Sequence, residues 1–224
     1  PDRSVDLVLT DPPYNLDWKA EIKFKNRKNV FHHTAETEKW DDIDIVELYE
    51  KLAPEFNRVL KETGSVICFC RTEFITYLVD ACKKNDLAVK ATIIWHKTNP
   101  VTQIRKKNYL SSIESIVWLA RKRDEIPFTF NFSLQNEMHN FIEMPICGGN
   151  ERTEHPTQKP LRLIQKLLKV HSNENDLVLD PFIGSGTTGM ACKLLKRNYI
   201  GIEIDKKYCE IAEQRIKSIS NPLL

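Results

Sequence analysis

Apolar positions along the chain alternate between two rhythms. Val5-Asp6-Leu7-Val8-Leu9 is a short apolar run stopped by Asp11-Pro12-Pro13, which predicts a buried strand ending in a rigid turn. Over 43–62, Ile45, Leu48, Leu52, Phe56, Val59 and Leu60 fall on one face of a helix. Pro54 is expected to kink that helix, and Gly64 sits where a helix stop belongs. Ser65 to Cys70 predicts a second buried strand. A helix from about Glu73 to Asn85 follows, with Phe74, Tyr77, Leu78 and Ala81 inward. Two more strands are expected over Val89–Trp95 and Ile113–Leu119. A helix then spans Leu161–His171, a strand Leu177–Leu179, a helix Thr187–Arg197, a strand Tyr199–Ile204 and a last helix Lys206–Ser218. Residues 15–40, 97–112 and 124–155 lack a clear period and read as long loops, which are uncommon in a compact domain without a function.

Strands alternate with helices, and several strands are continuously apolar. That pattern predicts an α/β fold with a mostly parallel sheet and helices on both faces. Ligands in such sheets bind beyond the carboxyl ends of strands, where Asp11 and Asp180 both stand. At 224 residues the whole chain, 1–224, reads as a single domain.

A net charge of +2 does not by itself announce nucleic acid. Three local runs are more basic: Lys19 to Lys28, Arg105-Lys106-Lys107 and Arg121-Lys122-Arg123. Each reads equally as a solvated face or as a contact for phosphates. The six cysteines form no CxxC pair and no zinc spacing, and Cys68 and Cys70 read as small core residues. No metal is expected. No apolar stretch approaches the roughly 20 residues of a spanning helix, and Pro1-Asp2-Arg3-Ser4 is not a signal peptide. A reducing, cytoplasmic setting is expected.

The candidate chemistry lies in two turns. Three of only seven glycines fall in Gly184-Ser185-Gly186-Thr187-Thr188-Gly189, directly after Asp180-Pro181-Phe182-Ile183. Glycine lets a backbone turn sharply and approach a ligand closely. Glu203 follows 19 residues after Gly184, and such a carboxylate can accept both hydroxyls of a ribose. Alone, this pattern fits a nicotinamide-binding enzyme. Two details weaken that reading: Asp-Pro-Phe intervenes between strand and first glycine, and only 21 residues follow Glu203. In the other turn, Asp11-Pro12-Pro13-Tyr14, two prolines fix a carboxylate and an aromatic ring after a strand. That combination offers acceptors for an amine and a face for a flat ring.

Asp11-Pro12-Pro13-Tyr14 resembles the catalytic motif of amino-methyltransferases acting on DNA, and Asp180 to Thr188 resembles their S-adenosylmethionine loop. His155-Pro156-Thr157-Gln158-Lys159-Pro160 is similar to a third motif of one subgroup. The order of the three resembles the beta class of these enzymes, a circular permutation of the Rossmann-like methyltransferase sheet. The resemblance runs from Val5 to about Ile216. It implies one methyltransferase catalytic domain with candidate DNA-contacting loops at 15–40, 97–112 and 124–155. It also implies roles. Asp11 and the Pro12 main chain, fixed by Pro13, would hold the target amine, and Tyr14 would stack on the base. Phe182, Gly184 and Gly186 would line the methionine end of S-adenosylmethionine, with Asp180, Ser185, Thr187 and Lys159 in the same pocket. Glu203 would bind the cofactor ribose. The family commonly has a further cofactor-contacting Asp just before the first strand, a position not visible here.

The implied reaction is methyl transfer to an exocyclic base amine in duplex DNA, with the base flipped from the stack. Asp at the head of the motif points to adenine N6, with cytosine N4 as the alternative. The motif order argues against a glutamine or RNA methyltransferase, and the intact motifs against a DNA-binding protein without catalysis. Further implied partners are a second copy in a homodimer and a cognate restriction endonuclease.

Overall fold

The computed structural model describes residues 1–14, 43–102, 106–122 and 127–219. The expected loop at 15–40, with the first basic run, lies outside these residues, as do Arg105 and Arg123. Among the described residues seven strands form one mixed sheet: β1 (Val5–Thr10), β2 (Leu60–Cys70), β3 (Leu87–Lys97), β4 (Ile113–Arg121), β5 (Phe141–Met144), β6 (Leu177–Asp180) and β7 (Asn198–Gly201), in the spatial order β5-β3-β4-β2-β1-β6-β7. Only β4 runs against its neighbours β2 and β3; the other pairings are parallel.

Among the described residues five helices flank the sheet: α1 (Ile45–Val59), α2 (Ile75–Lys84), α3 (Leu161–His171), α4 (Thr187–Leu194) and α5 (Lys206–Ser218). Tyr49, Ala53 and Phe56 of α1 and Leu78, Ala81 and Cys82 of α2 bury one face of the sheet with Val8, Val66 and Val117. Leu163, Ile164, Leu167 and Leu168 of α3 and Ala191 and Cys192 of α4 bury the other with Leu7, Leu9 and Ile67. Asp44 caps α1 through bonds from the Val46 and Glu47 amides, at 2.9 and 3.1 Å. No described helix is long and apolar enough to cross a membrane.

From β1 the chain moves outward through β2 and the strands beyond it, then returns to β6 on the other side of β1. The β1–β6 border is therefore the topological switch point, where the strand ends leave a crevice. Val8 pairs with Leu179, so the turns following Thr10 and Asp180 emerge side by side.

Three local expectations are corrected. The first helix stops at Val59, and Gly64 lies inside β2 instead of ending the helix. Register there slips between Val5↔Leu60 and Leu7↔Ser65, and a Cβ on Gly64 would stand 3.1 Å from the Asp6 carbonyl oxygen, so a smooth backbone needs glycine. Tyr77 is about half exposed, and Cys82 takes the inward place instead. Residues 124–155 conceal an edge strand, β5, of which only Ile142 is buried.

Candidate active site

The turns after β1 and β6 open into one cavity of ≈ 380 Å³, within the range of small-molecule sites. Its lining includes Asp11, Pro12, Pro13 and Tyr14 from the first turn and Asp180, Phe182, Gly184, Ser185 and Thr187 from the second. Glu203, beyond β7, and Lys159, before α3, complete it. Of the sequence-predicted site residues only Gly186 is not among the lining. At φ +83° a Cβ on Gly186 would meet the Ala212 backbone at 2.8 Å, so this glycine lets α5 pack against the loop.

The glycine loop is tied down from several sides. Asp180 accepts the Phe182 amide at 3.1 Å and the Thr188 hydroxyl at 2.6 Å, which makes it a brace inside the loop. Burial pushes its carboxyl up to about 7, against the pull of those bonds. Arg215 of α5 donates to the Ser185 carbonyl at 2.5 Å and to its hydroxyl at 3.0 Å. Glu203 accepts the Gly184 amide on Oε2 and the Asp205 amide on Oε1, both at 2.9 Å. Each carboxylate oxygen can accept about two bonds, so acceptor capacity remains for a ligand's hydroxyls.

The His155–Pro160 segment forms the wall between the two turns. Gln158 is buried and accepts the Thr153 amide at 2.8 Å while donating to the Glu151 carbonyl at 2.8 Å, which fixes the segment's path. His155 covers Gly184: a Cβ there would stand 2.8 Å from His155 Nε2. Its ring also packs edge-on against Tyr208, with centroids 4.5 Å apart. Burial, with Lys159 and two arginines nearby, lowers the imidazole to about 4, so it is neutral near pH 7.

Lys159 closes the site from behind. Its ammonium is ion-paired with Asp11 Oδ2, and Tyr14 donates its hydroxyl to Asp11 Oδ1 at 2.5 Å. The same ammonium lies 5.3 Å from the Tyr14 ring centroid and 5.1 Å from that of Phe69. Sequence reasoning gave Lys159 to the cofactor pocket; it lines the cavity, but its charge is directed at Asp11. A second carboxylate, Glu114 of β4, stands 3.3 Å from the Lys159 ammonium and 2.7 Å from that of Lys97. Burial raises the Asp11 carboxyl, and Lys159 works against that rise. Burial would lift Glu114 too, but its two ammonium neighbours hold it below the usual range. Burial disfavours the Lys159 charge, yet the two carboxylates outweigh it and raise the ammonium.

His155, Thr157, Gln158, Tyr208, Phe69 and Glu114 are among the site residues that sequence reasoning did not single out one by one. The first three lay inside a recognised motif. Glu114 had one signal, the lone carboxylate in a mainly apolar strand.

Residues 5–214 match the family described as DNA methylase, N6_N4_Mtase. The chain belongs to this DNA methylase family. Its relatives include the type II methyltransferase M.HinfI of Haemophilus influenzae, 33% identical over 240 residues that cover 99% of this chain and 66% of that protein. The chain thus spans just under two thirds of that relative. The type II methyltransferase M2.MboI of Moraxella bovis is 33% identical over 228 residues, covering 98% of this chain and 83% of that protein. Among solved structures, the M1.HpyAVI–SAM complex superposes with a TM-score of 0.69 at 33% identity, over 95% of this chain and 89% of that one. The cytosine-N4-specific PvuII DNA methyltransferase reaches a TM-score of 0.75 at 18% identity, over 100% of this chain and 83% of that one, a likeness of fold.

Proposed function

We propose that this chain transfers a methyl group from S-adenosylmethionine to the N6 amine of adenine in duplex DNA. The observation that carries the reading is the cavity at the switch point, which has Asp11 in one wall and Glu203, tied to the glycine loop, in another. The residues fit S-adenosylmethionine. Glu203 keeps acceptor capacity for ribose hydroxyls, Phe182, Ile183 and Ile202 offer apolar walls, and Gly184 leaves the loop free of a side chain under His155. The M1.HpyAVI structure, described as a SAM complex, supports the same choice.

When bound, S-adenosylmethionine supplies a methyl group on a positively charged sulfur. The protein's task is to make a weak nucleophile ready. The lone pair of an exocyclic base amine is shared with the ring. Hydrogen bonds from that amine to Asp11 and to the Pro12 carbonyl favour a more tetrahedral nitrogen, whose lone pair is then free to attack. Pro12 and Pro13 fix both acceptors in advance, so positioning supplies much of the rate. Asp11, or water, takes the proton that the methylated amine must lose. Tyr14 offers the flipped base an aromatic face.

Lys106 and Lys107, with Tyr109 at 94% exposure beside them, support a role for the 97–112 segment in binding DNA, the lysines on phosphates. The 124–155 segment adds exposed Phe132 and Leu134. The loop at 15–40 belongs to the same proposal on its lysines alone. The reading also includes a cytoplasmic setting, a homodimer and a cognate restriction endonuclease; the relatives named type II methyltransferases bear on the last of these alone.

The test is Asp11→Ala. S-adenosylmethionine affinity by calorimetry should stay within about threefold, while methyl transfer falls by about 100-fold or more, as for loss of a group that acts in the transition state. Transfer that survives the substitution removes Asp11 from the role assigned to it.

A further inference from the structure

We propose that Glu114 is a positioning residue for methyl transfer, an alternative seat for the Lys159 ammonium that lets Asp11 release its ion pair and accept the target amine. The proposal rests on the reading of Asp11 as the amine acceptor. In the structure both Asp11 oxygens are engaged, Oδ1 by the Tyr14 hydroxyl at 2.5 Å and Oδ2 by Lys159. Each oxygen keeps acceptor capacity, but an amine bonded beside both donors meets a carboxylate whose charge is drawn to Lys159, and release of that ion pair makes Asp11 the stronger acceptor. Lys159 is only 6% exposed, and a buried ammonium does not leave its carboxylate without another partner.

Glu114 is built to be that partner. Its Oε2 is buried and already ion-paired with Lys159 Nζ at 3.3 Å, without a well-formed hydrogen bond, so the ammonium needs only a short move to close on it. Its other oxygen is fixed by Lys97 at 2.7 Å. Lys97 is anchored in turn: its amide donates to the Ser112 carbonyl at 2.7 Å, and its ammonium lies 5.5 Å from the Trp95 ring centroid. Asp11, Lys159, Glu114 and Lys97 alternate in sign and sum to zero. The middle ammonium can pass from one carboxylate to the other without leaving net charge in the interior. The 97–112 pairing also places Glu114 at the base of the segment proposed to meet DNA.

The experiment is a double-mutant cycle on single-turnover methyl transfer to duplex DNA by the full chain, with S-adenosylmethionine affinity measured for each variant. Glu114→Gln should slow transfer by about tenfold or more while cofactor affinity changes by less than about twofold. In a Lys159→Met background the same substitution should cost less than about twofold, because no ammonium is left to hold. Equal slowing in both backgrounds, an unchanged rate in Glu114→Gln, or a loss confined to cofactor affinity overturns the proposal. If Lys159→Met does not bind cofactor, Lys159→Gln serves as the background. Absence of DNA methylation by the unaltered chain would instead count against the proposed function, before any variant is compared.

Discussion

Asp11 meets the cavity with a phenol on one oxygen and an ammonium on the other, and in the proposed reaction the target amine is accepted beside them or in place of one. Gly184 is the second residue on which the site turns. It adopts φ +51°, and any Cβ would press on His155 Nε2 at 2.8 Å. Gly184→Ala should therefore weaken S-adenosylmethionine binding by about tenfold and lower stability by about 1–2 kcal/mol, the left-handed backbone alone accounting for that range. Calorimetric titration and thermal unfolding read the two effects. The Asp11 turn and the glycine loop were legible in the sequence because their chemistry is local: strand, break, carboxylate and ring within four residues. The pairing of Lys159 with Asp11 was not, since it joins residues 148 positions apart. Glu114 gave only its isolation in a mainly apolar strand, and its pairing with Lys97 gave nothing, because a lysine and a glutamate on adjacent strands look like ordinary surface until the fold buries them.

Between elements, α5 and α3 each carry one side chain with a testable consequence. Arg215 reaches from α5 to Ser185 and, at 3.3 Å, to the Thr187 hydroxyl, holding the loop from outside the cavity. Arg215→Met should raise the KM for S-adenosylmethionine several-fold and leave kcat nearly unchanged, since the Asp11 turn is untouched; steady-state kinetics separates the two. In α3, His171 is buried against Trp118 and Phe130, with ring centroids 4.7 and 5.6 Å away. Burial lowers this imidazole to about 4. Its folded-state value thus lies below the unfolded one. As pH falls from about 6.5 towards 4 the unfolded chain takes a proton that the folded chain refuses, and up to about 3 kcal/mol is lost. Asp180, raised to about 7, acts in the opposite sense, losing stability as pH rises from its ordinary value. His171→Phe should narrow the fall in Tm between pH 7.5 and pH 5 relative to the unaltered chain; parallel curves would contradict this. Long periodic elements were read nearly to their ends. The failures at Gly64, Tyr77 and β5 arise where neighbouring strands decide the outcome: a bulge, an edge helix face and a four-residue edge strand leave little periodic trace.

For the molecule as a whole, the switch point between β1 and β6 joins two motifs 169 positions apart, as Asp11 and Asp180 line one cavity. The motif order indicated this arrangement, while the single reversed strand, β4, was not foreseen because apolar strands read alike in either direction. The lysines proposed to meet phosphates carry a further consequence. Lys106→Gln with Lys107→Gln should reduce the slope of log DNA affinity against log salt by about 0.9 for each lost phosphate contact, without changing cofactor affinity. The central claim concerns the reaction itself. Incubating the purified chain with methyl-labelled S-adenosylmethionine and unmethylated duplex DNA, then digesting the DNA to nucleosides, tests it most directly. Label in N6-methyl-2′-deoxyadenosine is the expected result; label in N4-methyl-2′-deoxycytidine would reassign the base, and DNA without label would contradict the account.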